Sequence, residues 1–439
     1  MKPKRILAIL LLCAIIVTFT ACEKIDLSGG KDPSGGKDRG DPNVLTVRTT
    51  VTGEDTFRPE GGASSKTERI LQSIVDAEKK TGYTIDAQIV AADTLSSGFL
   101  KACRAGGKYA DVIQTEAWFL SQYYSEGYFL SLDAVGISPS ETGVLTRGDK
   151  VYALRSDAWM NPVPSVSYVL YYNDKLFRDV ALESPLGWYE AKAWNWTNFL
   201  QLCNNVTTAY SREIYAIAEP NEAETDLIWA TLHAAGAKYF TEDGTCTMDS
   251  AATTNGFAKL RELLSAGITY RLGSEINDQA DPTSKLAFIN RRTAFFVGSS
   301  DLLFETGEES LSENLGEDLR IIPFPAIAGT AAPAAYTRTD LFCGITKAAN
   351  LPLCKELIPL LFTAEDTTAK DELIRDSFFH EKDAAIYFDL LKNADTETNL
   401  QMTDKYTMVE ELFVQIVNGS SVKEYLSNLE NIFNTQQKG

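Results

Sequence analysis

Histidine is nearly missing from this chain of 439 residues: only His233 and His380 occur. Neither stands in an HExxH pattern or beside a cysteine, so no zinc-protease motif can be assembled. There is also no CxxC pair, no GxSxG elbow, no GxGxxG, no P-loop and no EF-hand loop. Their absence removes the usual signatures of thiol redox, serine-hydrolase, dinucleotide, nucleotide and calcium chemistry. An acid/base carboxylate pair is not removed, because glycosidase carboxylates keep no fixed spacing in sequence. Positive charge is short as well, with 41 Lys and Arg against 60 Asp and Glu and a net charge of −19. Phosphate binding needs a basic face, so no nucleic-acid partner is expected. Long apolar runs are missing beyond the first twenty residues.

Those first residues differ from the rest. Lys2, Lys4 and Arg5 precede an apolar run from Ile6 to Phe19, and Thr20, Ala21 and Cys22 follow. A basic head, a short apolar segment and small residues make a secretory signal over 1–21. The run falls short of the roughly 20 residues that a membrane span needs. Thr20-Ala21-Cys22 resembles the lipobox of bacterial lipoproteins, with Phe19 where leucine is usual. The resemblance implies lipidation of Cys22, which becomes the new N-terminus of a palmitate-bearing anchor. Two acyl chains hold a protein stably where one is marginal. Residues 22–43, rich in Gly, Ser, Lys and Asp, then read as anchor and flexible tether. The five cysteines left, Cys103, Cys203, Cys246, Cys343 and Cys354, are scattered and odd in number, so they cannot all pair. They are expected to be small buried thiols.

From Val44 onward, strand and helix patterns alternate. Residues 44–51 are apolar and β-branched. Ser65-Lys66-Thr67-Glu68 is a capping box, followed by Ile70, Leu71, Ile74 and Val75 at helical spacing. Gly82 stands where that helix should stop, and 84–90 alternates as a strand. Further strands are predicted over 111–115, 151–154, 167–172, 293–297 and 320–322. Helices are predicted over 222–235, 250–265 and 352–362. After Ile345 the pattern is almost wholly helical, and Ser421-Val422-Lys423-Glu424 caps the last helix. Strands spaced by helices predict α/β layers with mostly parallel sheets.

Several stretches carry a family likeness. Gly148-Asp149-Lys150-Val151-Tyr152-Ala153-Leu154 is one, and Tyr171-Tyr172-Asn173-Asp174-Lys175-Leu176-Phe177 is another. Trp194-Asn195-Trp196-Thr197-Asn198-Phe199, Phe288-Ile289-Asn290-Arg291-Arg292-Thr293-Ala294-Phe295 and Pro323-Phe324-Pro325 follow in order. Together they resemble the family 1 extracellular solute-binding proteins, the maltose-binding-like class that feeds ABC importers. The likeness covers about 44–420. It implies a two-lobe, type II periplasmic-binding-protein-like fold with an inter-lobe ligand cleft and a hinge. By that analogy lobe 1 is 44–153 plus 292–326, and lobe 2 is 154–291 plus 327–439. The implied function is non-enzymatic: a monomeric receptor on the outer face of the cell membrane takes up a mono- or oligosaccharide. It passes the solute to the transmembrane subunits of an ABC permease. A lipoprotein of this fold that presents its ligand to a membrane sensor, or a glycan hydrolase, are the rival readings. No cofactor or metal is implied.

In open α/β sheets, ligands sit beyond the carboxyl ends of strands. That rule selects Glu54 after the first strand, Glu116 and Trp118 after the strand at 111–114, and Ser299 and Asp301 after the strand at 293–297. Carboxylates accept from sugar hydroxyls, and aromatic faces suit the C–H side of a pyranose. Trp159, beside Asn161, Pro162 and Pro164, and Trp229, in a predicted helix, complete the candidate ligand set. Trp194 and Trp196 are expected in the core.

Overall fold

A computed structural model describes residues 41–436, apart from 51–64, 139–142, 148, 157–158, 160–164, 240–244, 274–280, 328–334, 337–340, 363–373 and 395–405. The signal segment, Cys22, most of the tether and Glu54 lie outside the described residues.

The strands in chain order are β1 (Val44–Thr49), β2 (Thr84–Ile89), β3 (Val112–Glu116), β4 (Phe129–Leu130), β5 (Val144–Arg147), β6 (Lys150–Arg155) and β7 (Val166–Ser167). They continue as β8 (Val169–Asn173), β9 (Ile217–Ala218), β10 (Thr269–Tyr270), β11 (Phe295–Gly298), β12 (Leu319–Pro323), β13 (Ala335–Tyr336) and β14 (Leu341–Thr346).

The N-terminal sheet runs β2-β1-β3-β14-β6-β5, with β4 also on β14. In β1 the alternate residues Leu45, Val47 and Thr49 face inward, as a half-buried strand requires. The helix Ser65–Thr81 follows and lays Ile70 and Ala77 into the core, while Val75 stays exposed. It stops at Gly82, whose φ of 75° lies in the left-handed region and whose amide closes on the Glu78 carbonyl at 2.8 Å. This helix and Leu351–Phe362 pack against one side of the sheet. Ala92–Arg104 and Ala117–Ser125 pack on the other side through Phe99, Phe119 and Leu120. The result is a three-layer α/β/α body.

The second body is built on β11-β8-β12, in which β8 takes an antiparallel partner on each edge. Its core collects Tyr171, Phe199, Trp229, Phe295, Ile322 and Phe413 among many others. The parallel pair β9 and β10 lies beside it through a bridge from Tyr215 to Thr293. Trp196 is buried, and the Trp194 indole donates to the Pro323 carbonyl at 2.8 Å, so both tryptophans pack as expected. The terminal helices also close on this core, and Glu424 is capped by Ser421 as the sequence suggests.

Two expectations need correction. The sheets are not mostly parallel: β2-β1-β3 and the short pair β9-β10 are, while β14, β6 and β5 run antiparallel and β8 has antiparallel neighbours on both sides. Residues 292–326 also pair elsewhere than the analogy placed them. Phe295↔Tyr172 and Ile321↔Tyr171 registers bind β11 and β12 to β8 in the second body. Strand β14 returns instead to the N-terminal sheet, between β3 and β6, and brings the helix Leu351–Phe362 with it. An apolar strand pattern states burial but not which strand will bond to it. The chain thus passes between the bodies three times: between β6 and β7, between β12 and β14, and between Leu351–Phe362 and Glu381–Lys392.

Candidate ligand site

At the carboxyl end of the N-terminal sheet, β1 and β3 bring polar groups together. The Thr49 hydroxyl donates to Gln114 Oε1 at 2.5 Å, and Thr50 and Thr115 hydroxyls meet at 3.1 Å. Gln114 is wholly buried, and its Nε2 has no acceptor among the described residues. Glu116 follows as the N-cap residue of Ala117–Ser125, half-buried, where a carboxylate gains from the helix dipole. Trp118 is the second residue of that helix. Arg155 lies one strand away from Thr115, both opposite Phe342, and is buried.

In the second body, β11, the helix Asp226–Ala234 and the residues beyond the carboxyl end of β9 line a cavity of about 290 Å³. This is close to the lower end of the ~300–1,000 Å³ range of small-molecule sites. Its wall carries Glu219, Glu224, Asp226 and Glu410, with Phe295 and Phe296 as its aromatic surface. Most of these carboxylates are held. Glu219 accepts from Thr269 at 2.8 Å. Glu224 takes the Ser284 amide on both oxygens, at 3.0 and 2.8 Å. Glu410 accepts from Thr225 and from the Trp229 indole. Lys285, also in the wall, is paired with Glu305.

Asp226 differs. It reaches solvent, yet the protein around it strips away much of its hydration, and Glu224, Glu410 and Asp301 add repulsion. Its carboxyl is raised to about 6. Since this folded value lies above the free one near 3.9, the group contributes stability that is complete below pH ~4 and is lost as pH rises through about 6. Asp226→Asn should therefore melt like the parent protein at pH 4 and slightly higher at pH 7.5. Solvent screening keeps the gain under ~1 kcal/mol. Thermal melts at the two pH values decide it, and a lower melting point for the variant at pH 7.5 would contradict the assignment.

Of the sequence candidates, Ser299 and Asp301 lie at the end of β11, and the Asp301 charge is felt at Asp226. Glu116 and Trp118 sit together at the end of β3. The two other tryptophans are not positioned as stacking platforms. Trp159 is wholly buried, packs on Phe362 with ring centroids 4.9 Å apart, and donates its indole N–H to Ser73 at 3.1 Å. Trp229 is 1% exposed between Tyr239 and Phe413. Both rings have their faces taken by protein. Asp226, Glu219 and Glu410 were missed. Asp226 stands in an acidic run that opens a helix, a signal that could have been read. Glu410 arrives 181 residues after Trp229 and left no local sign.

Two α/β bodies joined by three crossings, each presenting polar residues beyond the carboxyl ends of its strands, define a two-lobed solute receptor. A family model for bacterial extracellular solute-binding proteins matches residues 63–339, and the chain belongs to that family. No curated protein sequence matches significantly. Solved structures agree on the fold. The sugar-binding protein MalE from Xanthomonas citri is 14% identical with a TM-score of 0.64, over 90% of this chain and 98% of that one. A family 1 solute-binding protein from Alicyclobacillus acidocaldarius is 14% identical with a TM-score of 0.60, over 90% and 98%. An ABC substrate-binding protein from Listeria monocytogenes, solved with cycloalternan, is 13% identical with a TM-score of 0.54, over 91% and 100%.

No described helix is long and apolar enough to cross a membrane, and no described group of His, Cys, Asp or Glu is placed to hold a metal ion.

Proposed function

We propose that this protein is a lipid-anchored extracellular receptor that captures a mono- or oligosaccharide and delivers it to an ABC importer. The observation that carries the reading is the pair of hydroxyl- and carboxylate-bearing rims, one at the carboxyl ends of β1 and β3 and one beyond β9 against β11, in a member of this family. Threonines, Gln114 and carboxylates supply the donors and acceptors that sugar hydroxyls need. Several structural neighbours bind sugars, among them cycloalternan, galactopyranose and chitin oligosaccharides. Capture works by closure: ligand contacts made only in the closed form shift the balance between open and closed states. No bond is made or broken in the solute. Calorimetry against a panel of neutral mono- and oligosaccharides tests the reading. Micromolar or tighter binding of at least one supports it, and heat-silent titrations throughout would sink it.

Anchoring rests on Cys22, in the segment outside the described residues. Cys22→Ser should move the protein from the membrane fraction to the medium and leave its solute affinity unchanged. Fractionation followed by calorimetry reads both. Retention of the serine variant in the membrane fraction would count against the anchor.

A further inference from the structure

Ser299, Ser300 and Asp301 leave β11 and turn at once into the short 3-10 helix Ser300–Phe304. Gly298 allows that turn, because a Cβ there would come within 2.7 Å of the Leu302 side chain and 2.9 Å of Phe296. The three residues are then strapped down by one other stretch of chain. Ser165 Oγ donates to Asp301 Oδ1 at 3.1 Å. The Val166 amide donates to Ser300 Oγ at 3.0 Å. The hydroxyl of Tyr171, itself wholly buried, donates to the Ser299 carbonyl at 2.6 Å.

That stretch is where the first crossing ends. Ser165 is the residue before β7, and β7 pairs with β13 through Ser167↔Ala335 and Val166↔Tyr336. The second crossing therefore docks at the same place. Rotation between lobes is absorbed by a few loop or element-terminal residues, and Ser165 is such a residue. An ionised carboxylate has two oxygens and about four acceptor positions. The Ser165 bond engages Oδ1 and restrains the carboxylate, whose second acceptor oxygen is Oδ2.

We propose that Ser165 is a positioning residue that joins the grip of Asp301 on the solute to the hinge. A bound solute that engages Oδ2 stabilises the carboxylate plane in which Ser165 is bonded, and with it the backbone at the end of the crossing. The Ser165 hydroxyl is buried and touches the solute only through Asp301. The ligand arm of this inference rests on the carbohydrate-receptor reading; its ligand-free arm rests on the fold.

The experiment uses Ser165→Ala, Ser165→Thr, Asp301→Ala and the Ser165→Ala/Asp301→Ala double variant of the mature protein. Without ligand, amide exchange is followed by mass spectrometry. Loss of either partner should speed exchange in both segments, 165–168 and 299–304, while threonine restores the parent rate. Faster exchange confined to the mutated segment overturns the coupling. With whichever panel sugar binds the parent protein, Ser165→Ala should weaken binding about tenfold, the scale of one hydrogen bond to a charged group. It should also reduce the ligand-induced fall in radius of gyration seen by X-ray scattering. Threonine should rescue both, and the alanine change should add nothing in the Asp301→Ala background. Unchanged affinity in Ser165→Ala, or additive losses in the double variant, overturns the inference and leaves the sugar reading standing. If no sugar binds the parent protein, the sugar reading falls, and the exchange arm still decides the coupling.

Discussion

Trp229→Ala should destabilise the protein by about 3–5 kcal/mol, the scale for removing a buried large aromatic. The ring is enclosed by Tyr239, edge-on with centroids 5.5 Å apart, and by Phe413 at 4.8 Å. Such pairs add to the area they bury. The truncation also takes away one donor to Glu410, whose carboxylate forms part of the cavity wall. Two consequences should appear together: a large drop in the urea midpoint and a loosened site. Trp229→Phe separates them. It refills most of the volume but has no N–H, so it should recover most of the stability and leave Thr225 as the remaining donor to Glu410 among the described residues. A ring whose task was to stack on solute would behave the other way, with stability intact and binding gone. Urea melts and calorimetry on the two variants distinguish these outcomes.

The same residue shows how far the sequence could be read. Its helix was legible, because apolar residues recur at helical spacing from Leu227 to Leu232. Which face met solvent was not, because the rings that cover it come from Tyr239 and from Phe413, far along the chain. Trp159 misled for a related reason. Prolines and an asparagine around it suggest an open loop, yet the ring is inserted between Ser73 and Phe362. Local signals served well where the cause is local. The capping serine at 421 and the glycine stop at 82 are set by backbone geometry within a few residues. The family motifs at 171–177 and 194–199 gave the two-lobe fold, but the allocation of β11, β12 and β14 between lobes depends on long-range hydrogen bonding. For the candidate site, the strand-end rule selects Glu116 and Asp301 as candidates from local pattern alone, whereas the Asp301 straps, Asp226 and Glu410 depend on contacts between distant segments.

Asp383→Ala should cost a similar 3–5 kcal/mol, for an electrostatic reason. Arg320, on β12, makes two parallel bonds to Asp383, on the helix Glu381–Lys392, with Nε to Oδ2 at 2.8 Å and Nη2 to Oδ1 at 3.0 Å. Both side chains are buried, at 10% and 5% exposure. Burial disfavours both charges. At Arg320 the bonds to Asp383, together with the charge of Asp383 and nearby Tyr172 and Asp174, offset it, and the guanidinium is held above its ordinary value. At Asp383 burial outweighs the pull of Arg320, and the carboxyl is raised. A buried ion pair commonly about breaks even against its desolvation. Breaking it is another matter, because a lone buried guanidinium has lost its hydration and found nothing in return. Asp383→Ala leaves Arg320 in that state. Replacing both partners by apolar side chains, as in Arg320→Met/Asp383→Leu, removes the stranded charge and should recover most of the loss. Urea denaturation of the single and double variants measures it. A double variant as unstable as Asp383→Ala would show that the bonded geometry itself holds the helix Glu381–Lys392 against β12.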